Sequence, residues 1–422
     1  MIEKRLVFSD VEKNIYSQNN KVLILLWPRQ VWKTTIMKYF QKKLEQNWEK
    51  SIYLDLDVYE NFEKINSYEK FINFLTINWY SKEQENYFYI FLDEFQKYKD
   101  FTKILKNIYD NNSNIKIIAS GSSSLTIKNN IQESLAWRKR IINIFPLNFE
   151  EFLLFKKEFE LHKNYKNLKN LSWKDLFDSL KSYYNFLYEF MVFGGYPAVV
   201  LENDLQEKQN ILWNIFDLFI KKDLWEYLKI DKIKIVKDIL KYIAINNWWK
   251  IKYQNIAEIS NTSIHTIKNY IEILKELFIF VELKPYFTNK NLELVKTPKI
   301  YFIDNWVKNY FIKNFVELDL RQDSWKLFEW FIISEFIKTG VDLESLKYWN
   351  DKNKREVDLI IDNISNISAY EIKFKKNIKA KDLSWLKAFS DIYNIEWNLI
   401  NLDIQEKTEN FNFILWFNVL KI

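Results

Sequence analysis

A lysine followed by a threonine, Lys33-Thr34, closes the stretch Trp27-Pro28-Arg29-Gln30-Val31-Trp32-Lys33-Thr34-Thr35, directly behind the apolar run 22–26. The spacing is that of a phosphate-cradling P-loop, G-x-x-x-x-G-K-[ST], set between a buried strand and the first turn of a helix. Tryptophan occupies both glycine positions. The chemistry expected is anion capture by main-chain N–H groups and a helix N-terminus. Lys33 would neutralise the β- and γ-phosphates, and the Thr34 hydroxyl would ligate Mg²⁺. A second apolar run, 87–92, ends in Asp93-Glu94. Asp93 there suits a Walker-B acid that holds Mg²⁺ through water, and Glu94 could orient or deprotonate the attacking water. A third run ends in Ser120-Gly121-Ser122-Ser123-Ser124, where Ser120 could sense the γ-phosphate or hold water. Arg138 is a candidate for stabilising transition-state charge, in its own or a neighbouring subunit. A surface salt bridge is the competing reading of that arginine.

The two tryptophans conflict with this chemistry. Glycine serves in such a loop because the chain bends through positive φ and lies close to the ligand. An indole at positive φ is strained and occupies phosphate space, so the loop taken literally binds ATP poorly. The chain holds 17 Trp and only 4 Gly in 422 residues. An ordinary soluble protein of this length has about 30 Gly, and Trp and Gly together come closer to that number. Trp48, the pair Trp248-Trp249 and Trp306 also follow turn-forming Asn or Asp-Asn. Lys, Asn, Ile and Phe are abundant, as in AT-rich genomes. We hypothesise that most of these tryptophans are glycines in the cellular protein, encoded by UGA codons that some bacteria read as glycine.

Composition bounds the rest. The length implies two to four domains. Zero Cys excludes disulfides and thiolate metal sites and fits a reducing, cytoplasmic compartment. Two histidines, His162 and His265, leave no basis for a His-based zinc site or a Ser-His triad. No apolar run approaches the roughly 18 residues of a membrane span, and the N-terminus has no signal-peptide pattern. A net charge of +6 permits nucleic-acid binding without arguing for it.

Strands at 22–26, 52–57, 87–92, 115–119 and 141–145 alternate with helices, the pattern of a parallel sheet covered on both faces. With the tryptophans read as glycine, residues 27–35 resemble the GPRQVGKTT loop of a family of prokaryotic AAA-type ATPases. Leu92-Asp93-Glu94-Phe95-Gln96 resembles that family's Walker B, Ser120-Gly121-Ser122-Ser123 its GSS, and Leu135-Ala136-Trp137-Arg138 its LAGR. Pro146-Leu147-Asn148-Phe149-Glu150-Glu151-Phe152 is similar to its PLSFxEF, and Gly194-Gly195-Tyr196-Pro197 to its GGYP. The motifs keep the family's order, and the likeness continues through the C-terminal domain. The resemblance implies ATP and Mg²⁺ as cofactors. It also implies an α/β fold in which a P-loop NTPase parallel sheet (1–150) is followed by a helical lid (151–231), a winged helix (232–287) and a C-terminal nuclease-like α/β domain (288–422). The Lys-rich patch at 156–169 reads as a solvated face, and Gly194-Gly195-Tyr196-Pro197 as a sharp turn.

Helices over 236–245, 256–259 and 265–277 with a strand at 278–283 have a helix-turn-helix order in a winged setting. Ser263, His265, Thr266, Lys268 and Asn269 would enter a major groove if the module reads double-stranded DNA. Contact with a protein partner is the alternative. Farther on, Asp358 precedes Glu371-Ile372-Lys373, the order of PD-(D/E)xK nucleases. Alternation on a strand puts Glu371 and Lys373 on one face. Asp358 and Glu371 could hold Mg²⁺ while Lys373 positions water, and Glu329 matches the helix glutamate of that fold. An inactive ion-pair cluster is the other reading. The functions expected are an ATPase driving or gating the C-terminal module, an ATP-regulated Mg²⁺-dependent DNA nuclease, or an ATP-gated scaffold without turnover, possible as a homo-oligomer.

Overall fold

The computed structural model describes residues 5–17, 21–27, 31–98, 101–122, 135–167, 173–224, 230–246, 251–363, 366–375, 378–402, 406–407 and 411–416. Two compact units result, Met1–Phe145 and Pro146–Ile422.

In the first unit the elements run α1 (Val7–Ile15), β1 (Val22–Trp27), α2 (Lys33–Gln46), β2 (Ser51–Asp55), α3 (Tyr59–Glu63), α4 (Tyr68–Ile77), β3 (Phe88–Asp93), α5 (Phe101–Asn111), β4 (Ile115–Ser122) and β5 (Lys139–Asn143). The sheet is parallel in the order β2-β3-β4-β1-β5. The five expected strands are all present. Continuous apolar runs place β1 and β3 inside: Val22 to Leu26 and Phe88 to Leu92 are buried, as a strand covered on both faces requires. The longer helices contribute apolar stripes; α5 turns Phe101, Leu105 and Ile108 inward. Parallel strands of this kind collect ligands at their carboxyl ends. Lys116 of β4 is buried, and its Nζ donates to the carbonyls of Ile15 (2.8 Å), Ser17 and Asn14 (3.4 Å) at the end of α1. Burial pushes this amine down to about 8.

Three tryptophans of this unit occupy left-handed backbone: Trp32, Trp48 and Trp79, at φ 69°, 62° and 70°. Trp48 follows α2. Its N–H reaches the Glu45 carbonyl at 3.1 Å, and the next N–H reaches Leu44 at 3.0 Å. Trp79 follows α4 in the same way, bonding to Thr76 at 3.2 Å while Tyr80 bonds to Leu75 at 3.0 Å. Both are Schellman motifs, and both tryptophans stand where that motif takes glycine. Their indoles are 95% and 81% exposed, so packing compensates for nothing. Trp306 corrects one expectation: it is the second residue of a helix, not a turn residue, and it is buried. Its indole N–H is nevertheless a buried donor without an acceptor among the described residues. Trp248 and Trp249 lie outside the described residues.

The second unit begins with α6 (Phe149–Phe155), α7 (Phe159–Asn167), α8 (Trp173–Phe193), α9 (Pro197–Leu201), α10 (Leu205–Leu218), α11 (Ile230–Ile245), α12 (Tyr253–Ile259) and α13 (Ile264–Glu276). Then follow β6 (Phe280–Pro285), α14 (Lys290–Val295), β7 (Lys299–Phe302), α15 (Asn305–Ile312), α16 (Ser324–Lys338), β8 (Leu346–Asn350), β9 (Glu356–Asp362), β10 (Ile367–Ile372), α17 (Ala380–Tyr393), β11 (Trp397–Asn401), β12 (Glu406–Lys407) and β13 (Phe411–Leu415). These strands form one mixed sheet in the order β12-β13-β11-β10-β9-β8-β6-β7. The segment expected as a wing, β6, pairs antiparallel with β7 and parallel with β8 and so belongs to this sheet. Helix α16 is apolar on nearly every side and buried from Leu327 to Ile337, so its two glutamates, Glu329 and Glu335, are carried into the interior.

The motifs around 146–152 and 194–197 hold this unit together. Asn148 caps α6 by accepting from Glu151 N–H at 2.9 Å, and Glu151 returns the bond to the Asn148 N–H at 3.2 Å. The Phe149 N–H donates to Glu335 at 2.8 Å. Gly195 donates to Asp304 at 2.8 Å, and a Cβ on it would stand 2.1 Å from the Leu147 carbonyl oxygen. Glycine is required by that close approach.

Candidate nucleotide site and acidic cluster

β1 delivers the chain to the loop, and α2 begins at Lys33 with Trp32 as its left-handed N-cap. Pro28, Arg29 and Gln30 lie outside the described residues. Trp27 ends β1, paired with Ser122. Val31 is buried, and its carbonyl accepts from Arg5 Nη1 at 3.2 Å. The same guanidinium reaches the Phe145 carbonyl. Lys33 is 6% exposed, and its Nζ lies 3.1 Å from Glu94 Oε1. The Thr34 hydroxyl donates to Asp93 Oδ2 at 2.6 Å. Thr35 is half-buried on α2.

Asp93 is 2% exposed at the end of β3. Its Oδ2 also accepts from Tyr53 of β2, at 2.7 Å. Its Oδ1 accepts from the buried Ser120 hydroxyl and from the Glu94 N–H, the latter at 3.1 Å. Both oxygens are therefore held, and four donors compensate the buried charge. Glu94 turns the chain at φ 55°, which brings its carboxylate back to Lys33. A hydroxyl and a carboxylate side by side are hard oxygen donors, the set Mg²⁺ takes. Lys33, Thr34, Asp93, Glu94 and Ser120 are thus joined in one network. Arg138 stands apart from it: its guanidinium is paired with Asp110 of α5, Nε to Oδ1 at 2.6 Å, and lies 4.5 Å from the Trp137 ring centre. Sequence reasoning missed Tyr53 and Arg5. Cross-strand register decides what Tyr53 meets, and Arg5 precedes the first helix, where no motif marks it.

A second set of acids lies in the C-terminal sheet. Glu329 of α16 accepts from the Tyr301 hydroxyl of β7 at 2.7 Å. Asp358 of β9 accepts from the Ile372 N–H at 2.8 Å. Glu371 of β10 pairs with Lys373, as strand alternation predicts. Lys299 pairs with Glu356 at 2.5 Å. Burial first, then the charge of Asp358, pushes Glu329 up to about 7 and Glu371 well above the usual carboxylate range. Lys299 and Lys373 oppose these shifts. Glu371 Oε2 is buried without a hydrogen-bond partner among the described residues. A crevice of about 520 Å³ beside these acids is lined by Arg321, Trp325, Lys373 and Lys375. Among the described residues, no three His, Cys, Asp or Glu side chains converge on one point as a metal cage. In the helix-turn-helix segment, Ser263 caps α13 by accepting from Thr266 N–H, His265 lies 3.3 Å from Asn269, and Lys268 rests over Tyr253.

Residues 19–153 match the model of an AAA domain. Residues 19–153 therefore carry an AAA-type P-loop ATPase domain. Residues 185–318 and 326–413 match two domains of unknown function. An uncharacterized protein of Methanocaldococcus jannaschii is 29% identical over 323 residues, 75% of this chain and 67% of that protein. An uncharacterized protein of Haemophilus influenzae is 25% identical over 70% of each chain. The structure of a Walker-type ATPase of Pyrococcus abyssi aligns over 74% of this chain and 96% of its own, at 16% identity and a TM-score of 0.48. Among the described residues, no helix is long and apolar enough to cross a membrane.

Proposed function

We propose that the protein binds ATP with Mg²⁺ at the loop between β1 and α2, hydrolyses it, and uses the cycle to drive or gate its C-terminal segments. The network joining Lys33, Thr34, Asp93, Glu94 and Ser120 is the observation that supports this reading. Thr34 and Asp93 would hold Mg²⁺, which when bound supplies charge neutralisation at the phosphates. Lys33 would exchange the Glu94 carboxylate for phosphate oxygens. Glu94, released, would accept the proton of the attacking water. Main-chain N–H groups at the start of α2 would receive the anion, provided that residues 27 and 32 are glycine. Arg138 would act on the transition state only after leaving Asp110. Duplex DNA or a protein would meet the α12–α13 pair, in a cytoplasmic setting and with homo-oligomers as a possible form.

A second reading is an ATP-regulated, Mg²⁺-dependent DNA nuclease. The unpartnered Glu371 Oε2 beside Asp358 and Lys373 favours it. Asp358 and Glu371 would hold the cation, Lys373 would position water, and Glu329 would support the pair.

The deciding experiment uses the Trp27→Gly, Trp32→Gly protein as parent. It is expected to bind ATP by calorimetry and to release phosphate, with Lys33→Ala slowing release by about a hundredfold or more. Equal rates in both proteins would overturn the P-loop assignment. ATP binding with no release would leave an ATP-gated scaffold.

A further inference from the structure

We infer that Tyr53 is a positioning residue for the cation bound with the nucleotide, acting through Asp93. The inference rests on the reading of the P-loop as an ATP–Mg²⁺ site. Tyr53 lies on β2, opposite Phe91 of β3, while Asp55 lies opposite Asp93. From there its hydroxyl crosses to Asp93 Oδ2 at 2.7 Å, the oxygen that also takes the Thr34 hydroxyl at 2.6 Å. The ring is half-buried, with Lys38 Nζ of α2 5.4 Å from its centre. Phenylalanine would fill the same space, so the hydroxyl is what distinguishes this residue.

A carboxylate that serves a cation must present a fixed oxygen, and an Asp side chain at a strand end is free to turn about its last bond. Ser120 and the Glu94 N–H fix one oxygen of Asp93. On the other oxygen, Thr34 has a competing duty, because its own oxygen is the expected cation ligand. Tyr53 has none, and it keeps the Asp93 plane set while Thr34 turns to the metal.

The test is Tyr53→Phe in the glycine-restored parent, read by ATP hydrolysis against Mg²⁺ concentration, ATP binding in EDTA, and thermal melting. The half-saturating Mg²⁺ concentration is expected to rise about tenfold, the worth of one hydrogen bond to a charged group. Affinity for ATP in EDTA and the melting temperature should stay at parental values. An unchanged Mg²⁺ dependence overturns the inference. So does a rate lowered equally at every Mg²⁺ concentration together with a lower melting temperature, which marks a packing role. A parent that binds no ATP fails at the P-loop reading itself and takes this inference with it.

Discussion

Both units carry carboxylates to the interior, but they leave them in opposite conditions. At the end of β3, Asp93 receives four donors and Glu94 has Lys33 within 3.1 Å. In the C-terminal sheet, Glu329 and Glu371 sit near Asp358, and one oxygen of Glu371 meets no donor. Burial is similar in the two places, at 2% exposure for both Asp93 and Glu371. The supply of hydrogen-bond donors differs. A carboxylate whose two oxygens are both held presents them in fixed positions to a cation. Burial and the charge of Asp358 push Glu329 and Glu371 upward, against the opposing Lys299 and Lys373. In the first unit, Trp32, Trp48 and Trp79 stand at positive φ. In the second, Trp330, Trp349, Trp397 and Trp416 are buried side chains of the core.

The sharpest way to break the comparison is to ask whether the C-terminal acids do chemistry at all. If they hold a cation, the parent protein should nick supercoiled plasmid with Mg²⁺, and Asp358→Ala should slow nicking by about a hundredfold or more. A parent that never nicks would reduce the cluster to an internal ion-pair array. The next effect is on stability. The carboxyl of Glu329 titrates near 7 in the folded protein, above its ordinary 4.5. Between these values the folded chain binds more protons than the unfolded one, so stability falls as pH rises from about 4.5 to about 7. Melting curves across this range should show the drop in the parent, and Glu329→Gln should lessen it, the rest persisting through Glu335, which burial also pushes up to about 7. Mg²⁺ at pH 8 should restore part of the loss if the acids take a cation. The smallest effects separate the tryptophans. Trp48→Gly and Trp79→Gly should each stabilise the chain by about 1 kcal/mol in denaturant melts, by relief of left-handed strain. Trp330→Gly, in the core, should destabilise it by more than about 3 kcal/mol. Peptide masses from the cellular protein should then read glycine at 32, 48 and 79.

The five strands of the first sheet were legible because strands buried on both faces are continuous apolar runs. The lysine, threonine and paired acids were legible because their spacing follows from one loop and one strand end. Tyr53 was not, since its value depends on which residue of β3 lies beside it. Trp306 was misjudged because Asp-Asn marks two structures: it opens turns, and it also caps helices. Here Asp304 accepts from the Trp306 N–H at 3.5 Å and starts α15. The paired glycines were read as a turn, and their tighter constraint came from elsewhere in the chain, from Asp304 and from the carbonyl of Leu147. Glu329 and Glu371 were placed by pattern, but the upward push on their ionisation could be seen only with their burial.

Lys116 has one more consequence. Its ammonium in the middle of the sheet is answered by carbonyls at the end of α1, at Ile15 and Ser17. A version of the protein shortened to start at strand β1 would keep every residue of the nucleotide loop and still strand a cation in the sheet with those acceptors gone. Such a shortened chain also loses the core contacts of Phe8, Val11 and Ile15, and replacing Lys116 with methionine should recover only the share of the lost stability that the stranded cation causes.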